Sequence, residues 1–465
     1  MSALSLRAAA EERGDDVALV ESEGEGVWSW RDLDERAGEV GRRLRARGVR
    51  AGDRVTLHAT NRVDTAAALL AMLDRGITAV PLHPRLREAE RDALKARAGA
   101  VAHLDDADLD GGDTAGDDLP VVRGDLAAML FTSGTSGAPK GALLPHDALL
   151  ASAAASAQNL GWTDADRWLL CLPLCHVGGL SVLTRCLLAR RPVVLLPRFD
   201  VDAVLAAIPR HGVTLLSVVP TMLHALLARD GSNVLRGLRA VLSGGAATSR
   251  SLREACAARA VPCLATYGLT EACSQVATQS PGDPSVAREG VGAALAGLEL
   301  RVADDHGAEV GEGVVGRILL RGKAMMRGYD GHAPLGEGWF DTGDHGARDA
   351  LGALTVHGRR TDLVVTGGEN VYPLEVELAA LEHPDVAEAL VFGVDDPVWG
   401  QRVAMLVVGR DGLDLDVLRG FLAARLAGFK RPRAVAVVPA LPTLPSGKPD
   451  RRGAAMQFTD ALRPW

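Results

Sequence analysis

The sequence predicts an α/β fold: a large N-terminal domain of α/β subdomains with a small β subdomain, followed by a small α+β C-terminal domain. Three observations predict it. Through the first three quarters of the 465 residues, short apolar runs alternate with amphipathic segments about a dozen residues long, the pattern of strands feeding crossover helices. The runs are rich in Val, Leu and Ile without polar alternation, as in strands covered on both faces. Beyond Gly290 the helical pattern gives way to short alternating runs separated by glycine, and beyond Arg359 to a mixed pattern of about 100 residues.

Taken in order, Ser29 and Asp32 form a capping-box pattern ahead of a helix ending near Gly48. Residues 55–59 read as a strand, 64–73 as a helix and 77–82 as a strand. Residues 105–118 are rich in Asp and Gly without apolar periodicity and read as a surface loop. Strands are expected at 129–132, 168–172, 193–196, 214–219 and 240–243, with helices at 147–159 and 249–259. The small β subdomain contributes 298–303 and 315–320. The C-terminal unit reads as strand 363–365, helix 374–381, strands 386–394 and 403–408, helix 416–426 and strand 434–438. The expected domain division is 1–360 and 361–465, and no internal repeat is evident.

A formal charge of −8 argues against a protein built to neutralise nucleic-acid phosphates or anionic lipid. The N-terminus has no apolar stretch of signal-peptide length, and the uncharged run from Trp168 to Thr184 is short for a membrane span and broken by Pro173, Gly178 and Gly179. The expected compartment is the cytoplasm. Six cysteines show no CxxC pair, so they read as core packing rather than as a zinc site or dithiol. Cys175-His176 is a poor nucleophile and base pair, because chain neighbours seldom meet in that geometry.

The segment richest in chemistry is Phe131-Thr132-Ser133-Gly134-Thr135-Ser136-Gly137-Ala138-Pro139-Lys140-Gly141, directly after an apolar strand. Its glycines let the backbone approach phosphate, and its hydroxyls and lysine surround that phosphate with donors. Ala-Pro before Lys140 excludes a Walker A loop, which needs Gly-Lys-Ser/Thr opening a helix. Gly311-Glu312-Gly313-Val314-Val315-Gly316 matches a dinucleotide loop by letter only, since a strand follows it where a helix is required.

The loop from Thr132 to Lys140 resembles the phosphate loop of the adenylate-forming superfamily: acyl-CoA synthetases, peptide-synthetase adenylation domains and luciferases. Thr266-Tyr267-Gly268-Leu269-Thr270-Glu271 is similar to its adenine and magnesium segment, and Trp339-Phe340-Asp341-Thr342-Gly343-Asp344 to its ribose segment. Gly358-Arg359 resembles the approach to its hinge, and Pro445-Ser446-Gly447-Lys448 its C-terminal lysine loop. The resemblance implies ATP, Mg²⁺ and coenzyme A, and a C-terminal domain that swivels about Thr361, where many relatives carry Asp or Lys.

By this resemblance Lys448 bridges carboxylate and α-phosphate, while Thr132, Ser133, Gly134, Thr135, Ser136, Gly137 and Lys140 hold the departing pyrophosphate. Glu271 takes Mg²⁺, Thr270 offers a hydroxyl to phosphate, Tyr267 a flat face to the purine, Asp344 both acceptors to ribose and Arg359 a forked cation. Gly245, Ala246, Thr266 and Gly268 complete the nucleotide site, and Gly367, Gly368, Glu369 and Lys430 are implied for CoA.

The stretch from Asp166 to Asp200, the run from Tyr267 to Gln275 and Gly367-Gly368-Glu369-Asn370 beside Tyr372 resemble o-succinylbenzoate:CoA ligases of menaquinone biosynthesis. His176 stands where that group gates the acyl and CoA pocket, after Cys175 in place of the usual aromatic. Ser217, Gly244, Gly245 and Ser274 are expected in the acid pocket, with Gln275 as a neutral donor and Arg185 as a remoter partner for a second carboxylate.

The reading is therefore an ATP-dependent acid:CoA ligase. The alternatives are a ligase for another aryl or acyl acid, a carrier-protein-loading adenylation enzyme and a non-catalytic ATP-binding scaffold. The implied partners are a small carboxylic acid, ATP and CoA, without nucleic acid or stable membrane insertion; a homodimer or higher homo-oligomer is left open. Composition adds one hint: of 51 basic residues only Lys95, Lys140, Lys323, Lys430 and Lys448 are lysine, and two of them fall where a compact ammonium must reach phosphate.

Overall fold

A computed structural model describes residues 3–24, 26–110, 115–132, 139–282, 290–444 and 449–465. Its contacts divide it into two compact units, Met1–Gly245 with Cys256–Glu299 and Arg321–Phe340, and Ala246–Ala255 with Leu300–Leu320 and Asp341–Trp465.

The first unit is built on two mixed sheets. One has eight strands in the order Ser274–Thr278, Cys263–Leu269, Ala240–Ser243, Leu215–Val218, Trp168–Leu170, Val193–Leu195, Val17–Glu21 and Val27–Ser29. Its interior pairs are parallel and its two outermost pairs antiparallel. The other orders Gly328–Tyr329, Lys140–Pro145, Leu126–Thr132, Thr78–Leu82, Arg54–His58 and Ala102–Leu104. Every residue of Thr78–Leu82, Trp168–Leu170, Val193–Leu195, Leu215–Val218 and Ala240–Ser243 is buried, which explains their unbroken apolar sequence. The helix Val63–Asp74 is buried almost all round for the same reason.

Local signals acted as expected at the helix Trp30–Ala46. Asp32 N–H donates to Ser29 Oγ at 3.1 Å and Ser29 N–H to Asp32 Oδ2 at 2.7 Å, closing the capping box, a device worth about 1 kcal/mol. Two expectations are corrected. Within 105–118 the chain forms a short helix, Asp106–Asp110, because Asp105 Oδ1 accepts from Asp108 N–H at 2.8 Å and caps it. After the phosphate loop comes the strand Lys140–Pro145 rather than a helix directly; it runs antiparallel to Leu126–Thr132, and the helix His146–Leu160 follows only then.

The second unit holds most of a four-stranded sheet ordered Leu298–Ala303, Gly316–Gly322, Phe340–Arg348 and Leu354–Arg359. The strand at Gly316 confirms that the preceding glycines form a turn, not a dinucleotide loop. A further sheet orders Glu369–Val371, Val364–Thr366, Gly400–Gly409, Ala434–Val437 and Arg463–Pro464, with Val386–Asp396 also pairing Gly400–Gly409. Its two long strands sort their side chains by alternation: Val391, Val403, Met405 and Val407 enter the core with Val376 of Pro373–Leu381 and Leu418 of Leu415–Ala423. Leu390, Phe392, Ala404 and Leu406 pack instead with Ala454 of a helix the sequence reading missed, Arg451–Phe458.

Candidate active site

In the first unit Lys140 and Glu271, expected to meet phosphate and Mg²⁺, both lie against one tyrosine. Thr132 and Lys140 are register partners, with Thr132 Oγ1 donating to Lys140 O at 3.4 Å, so the hairpin fixes both ends of the loop between them. Ser133, Gly134, Thr135, Ser136 and Gly137 lie outside the described residues, as does Lys448. Tyr329 pairs with Ala142 on the next strand; its ring lies 5.2 Å from Lys140 Nζ and its hydroxyl donates to Glu271 Oε1 at 2.6 Å. Glu271 is buried, and this carboxylate offers hard oxygen beside an ammonium that suits phosphate. That donor set fits Mg²⁺, which takes one or two carboxylates and completes its shell with substrate phosphate and water. Sequence reasoning missed Tyr329, although the chain has only three tyrosines and the other two, Tyr267 and Tyr372, had already drawn notice.

Close packing explains Gly268 of the expected adenine segment and Gly244 of the expected acid pocket. A Cβ on Gly268 would stand 1.9 Å from the Ser274 carbonyl oxygen, and one on Gly244 2.6 Å from Thr266 Cγ2. Gly245 has φ +77°; Ala246 follows it in sequence and belongs to the second unit. Thr266 Oγ1 meets Thr278 Oγ1 at 2.7 Å, fixing the strand beside the half-buried Tyr267. Thr270 and Glu271 sit in a single 3-10 turn, Thr270–Ala272, and the chain leaves it through Cys273 at φ +52° and Ser274 at φ +108°. Two consecutive non-glycine residues with positive φ cost about 1–3 kcal/mol each and need outside support. Ser152 supplies it by donating to Cys273 O at 2.8 Å, and Arg185 by donating to Ser274 Oγ at 3.1 Å.

Arg185, expected only as a remoter partner for a second carboxylate, is buried beside two other residues of the expected acid pocket, Ser274 and, through Trp168, Ser217. It projects from the helix Val177–Ala189, is 3% exposed and lies 5.4 Å from the Trp168 ring; Trp168 Nε1 donates to Ser217 Oγ at 3.1 Å. Among the described residues no carboxylate pairs with it and its Nε has no hydrogen-bond partner. Burial pulls its pKa down to about 10. It thus still carries its charge at neutral pH. Gln275 already donates to Thr278 Oγ1 at 2.9 Å. His176 occupies the N-cap position of the same helix without a side-chain capping bond, with its ring 5.7 Å from that of His83.

In the second unit Asp344 and Arg359 face each other across antiparallel strands, Arg359 Nε lying 3.2 Å from Asp344 Oδ1. Asp344 is buried and its N–H donates to Thr342 Oγ1 at 3.1 Å. Thr361 occupies the short turn Arg360–Asp362. Gly367 at φ +58° and Gly368 at φ +83° make the hairpin turn before Glu369, and a Cβ on Gly367 would stand 2.7 Å from the Trp399 ring. Lys430 binds both oxygens of Glu375, at 2.7 and 2.9 Å, so a CoA phosphate would have to compete with that carboxylate.

Comparison with known proteins agrees with this geometry. The AMP-binding enzyme family matches residues 6–330, and the AMP-binding enzyme C-terminal domain matches 375–448. A 2-succinylbenzoate–CoA ligase of Bacillus licheniformis is 36% identical, covering 95% of this chain and 97% of that protein. The o-succinylbenzoate CoA synthetase (MenE) of Bacillus subtilis in complex with the acyl-adenylate intermediate OSB-AMP is 32% identical with a TM-score of 0.90, covering 99% of this chain and 98% of that one. The same enzyme in complex with ATP and magnesium ion gives 0.88 at 32% identity, over 96% and 98% of the two chains. Matched by that family's model over residues 6–330, and by a relative 36% identical over 95% of its length, the chain belongs to the AMP-binding enzyme family.

Proposed function

We propose that this chain is an ATP-dependent 2-succinylbenzoate–CoA ligase of menaquinone (vitamin K2) biosynthesis, forming an acyl-adenylate and then the CoA thioester with release of pyrophosphate and AMP. The observation that carries the choice of acid is Arg185, a buried guanidinium with no carboxylate partner among the described residues. An isolated buried cation is costly, by several kcal/mol. A substrate with two carboxylates, one to be activated and one to remain, removes that cost on binding. The flat Trp168 ring beside the guanidinium suits the aromatic part of the same acid.

In the first half-reaction the acid's carboxylate oxygen attacks the α-phosphate in line. Catalysis is then mostly positioning and charge stabilisation. Lys140 and the hydroxyls of the loop hold the departing pyrophosphate, Lys448 balances the charge gathering between carboxylate and phosphate, and Asp344 with Arg359 grips the ribose. Glu271, steadied by Tyr329, would hold Mg²⁺, which neutralises phosphate charge when bound. In the second half-reaction the thiol of CoA displaces AMP, with Gly367, Gly368, Glu369 and Lys430 lining its approach after a swivel about Thr361. The domain division at residue 361 is part of this reading, as is work in the cytoplasm; no described helix is long and apolar enough to cross a membrane. A homodimer is tested by sedimentation.

The decisive experiment follows AMP release with ATP and either 2-succinylbenzoate, benzoate, malonate or a medium-chain acid, with and without CoA. The aromatic dicarboxylate should be preferred and turnover should need CoA. Equal use of benzoate would remove Arg185 from the argument, preference for malonate would shift the reading to a small dicarboxylate, and CoA-independent turnover would favour a carrier-loading enzyme.

A further inference from the structure

Among the described residues one cluster carries metal-ligand chemistry and shares His176 with the expected acyl pocket. His83, Cys175 and His176 place one ligand atom each within 4.8 Å of the others. They come from two loops of the first unit, His83 just after the strand Thr78–Leu82 and the other two after Trp168–Leu170, so both loops leave the carboxyl ends of parallel strands. Buried Asn61 pins the second loop by donating to Leu172 O at 3.0 Å and Leu196 O at 3.2 Å while its Oδ1 accepts from Leu174 N–H at 3.1 Å.

We propose that His83, Cys175 and His176 form a zinc site of three protein ligands with an open fourth position, and that zinc there takes His176 out of the acyl pocket. Two imidazoles and a thiolate are a borderline-soft set that suits Zn²⁺ and not Mg²⁺. Tetrahedral zinc wants its ligand atoms about 3.3–3.6 Å apart. Closing from 4.8 Å asks about 1.2–1.5 Å of the ligand atoms. Ligation through His83 Nδ1 would replace the hydrogen bond that it accepts from Arg85 N–H at 3.1 Å, worth about 1 kcal/mol. Burial, with Arg85 and His58 nearby, holds His83 below the ordinary histidine range and so in the neutral form a metal requires. Burial pushes the Cys175 thiol up to about 12, so it stays protonated until a metal displaces the proton.

The test adds Co²⁺ as a zinc surrogate to the whole chain after chelation. Wild type should develop a sulfur-to-cobalt charge-transfer band and intense tetrahedral d–d bands at one equivalent, both bleached by Zn²⁺. Cys175→Ser should lose the charge-transfer band, and His83→Asn should weaken binding about a hundredfold with an unchanged melting temperature. Absence of the band in wild type, or its survival in Cys175→Ser, overturns the site. Acid-dependent ATP–pyrophosphate exchange, which needs no thiol, should be inhibited by Zn²⁺ in wild type and resist it about a hundredfold better in His83→Asn, whose metal-free rate stays normal. Exchange that continues at full rate with the cobalt band saturated overturns the withdrawal of His176. This arm rests on the ligase reading; the spectra do not, so a silent exchange assay beside a normal band would indict that reading alone.

Discussion

Arg185 shows how a residue can be read in opposite senses by stability and by function. As a buried cation without a carboxylate partner among the described residues it is a burden on the fold, relieved in part by Ser274 and the face of Trp168. Arg185→Leu should therefore melt no lower than wild type, yet lose about a hundredfold in kcat/KM for 2-succinylbenzoate, the value of one charged hydrogen bond of about 3 kcal/mol, mostly through KM. Benzoate, which has no second carboxylate, should be used no worse. A loss shared equally by both acids would make Arg185 a mere support for Ser274. In the proposed mechanism Lys448 makes a different demand, because there its charge serves the transition state of adenylation only. Lys448→Ala should abolish acyl-adenylate formation while leaving thioester formation from supplied acyl-adenylate within about threefold; single-turnover assays of the two steps separate these outcomes, and equal loss in both would remove Lys448 from its assigned role.

At the scale of elements, what could be read from the sequence was whatever neighbours in sequence decide. The capping box at Ser29 and Asp32, the buried strands and the glycine turn at 311–316 depend on residues a few positions apart, and all formed as expected. The strand Lys140–Pro145 was missed because its pattern merges with the helix behind it, and only pairing with Leu126–Thr132 defines it. Tyr329 was missed because it reaches Glu271 across 58 residues, a contact no local pattern encodes. Asp166 is a further case, invisible until the fold closes. It is fully buried, accepts from Arg239 Nε at 3.0 Å and Nη2 at 2.8 Å, from Thr214 Oγ1 at 2.7 Å and from Thr163 N–H at 2.7 Å. Arg239 in turn donates to Leu160 O and Gly161 O, tying the end of a helix to the starts of neighbouring strands. Burial alone would raise the Asp166 pKa, but these donors outweigh it and hold the carboxyl below its ordinary value. A depressed folded-state pKa means stability that is fully present above the unfolded pKa, about 3.9, and lost as pH falls through the folded one. Asp166→Asn should cost about 2–3 kcal/mol at pH 7, and denaturant titrations should show the gap to wild type narrowing only below about pH 4. A gap that does not change with pH would mean the charge contributes nothing.

For the whole molecule, the question is how one chain runs two reactions whose charge requirements conflict. Adenylation wants a cation between carboxylate and α-phosphate; thioester formation wants a path for a thiol to the same carbon. In the proposed mechanism Lys448 and the turn at Gly367 and Gly368 act in different steps, and the exchange between them is assigned to backbone torsions near Thr361. Thr361 sits in the three-residue turn Arg360–Asp362, with its hydroxyl donating to Asp362 Oδ1 at 3.3 Å. Proline is tolerated in the first turn of a helix and fixes φ near −65°, so Thr361→Pro should fold while blocking rotation about that bond. If this setting is the adenylating one, acid-dependent ATP–pyrophosphate exchange should stay within about twofold of wild type, while transfer to CoA from preformed adenylate falls about a hundredfold. Thr361→Ala, which removes the hydroxyl but leaves the torsion free, should keep both steps. The opposite split, with exchange lost and transfer retained, would assign the present turn to the thioester-forming arrangement. Normal rates for both steps in the proline variant would move the pivot away from residue 361.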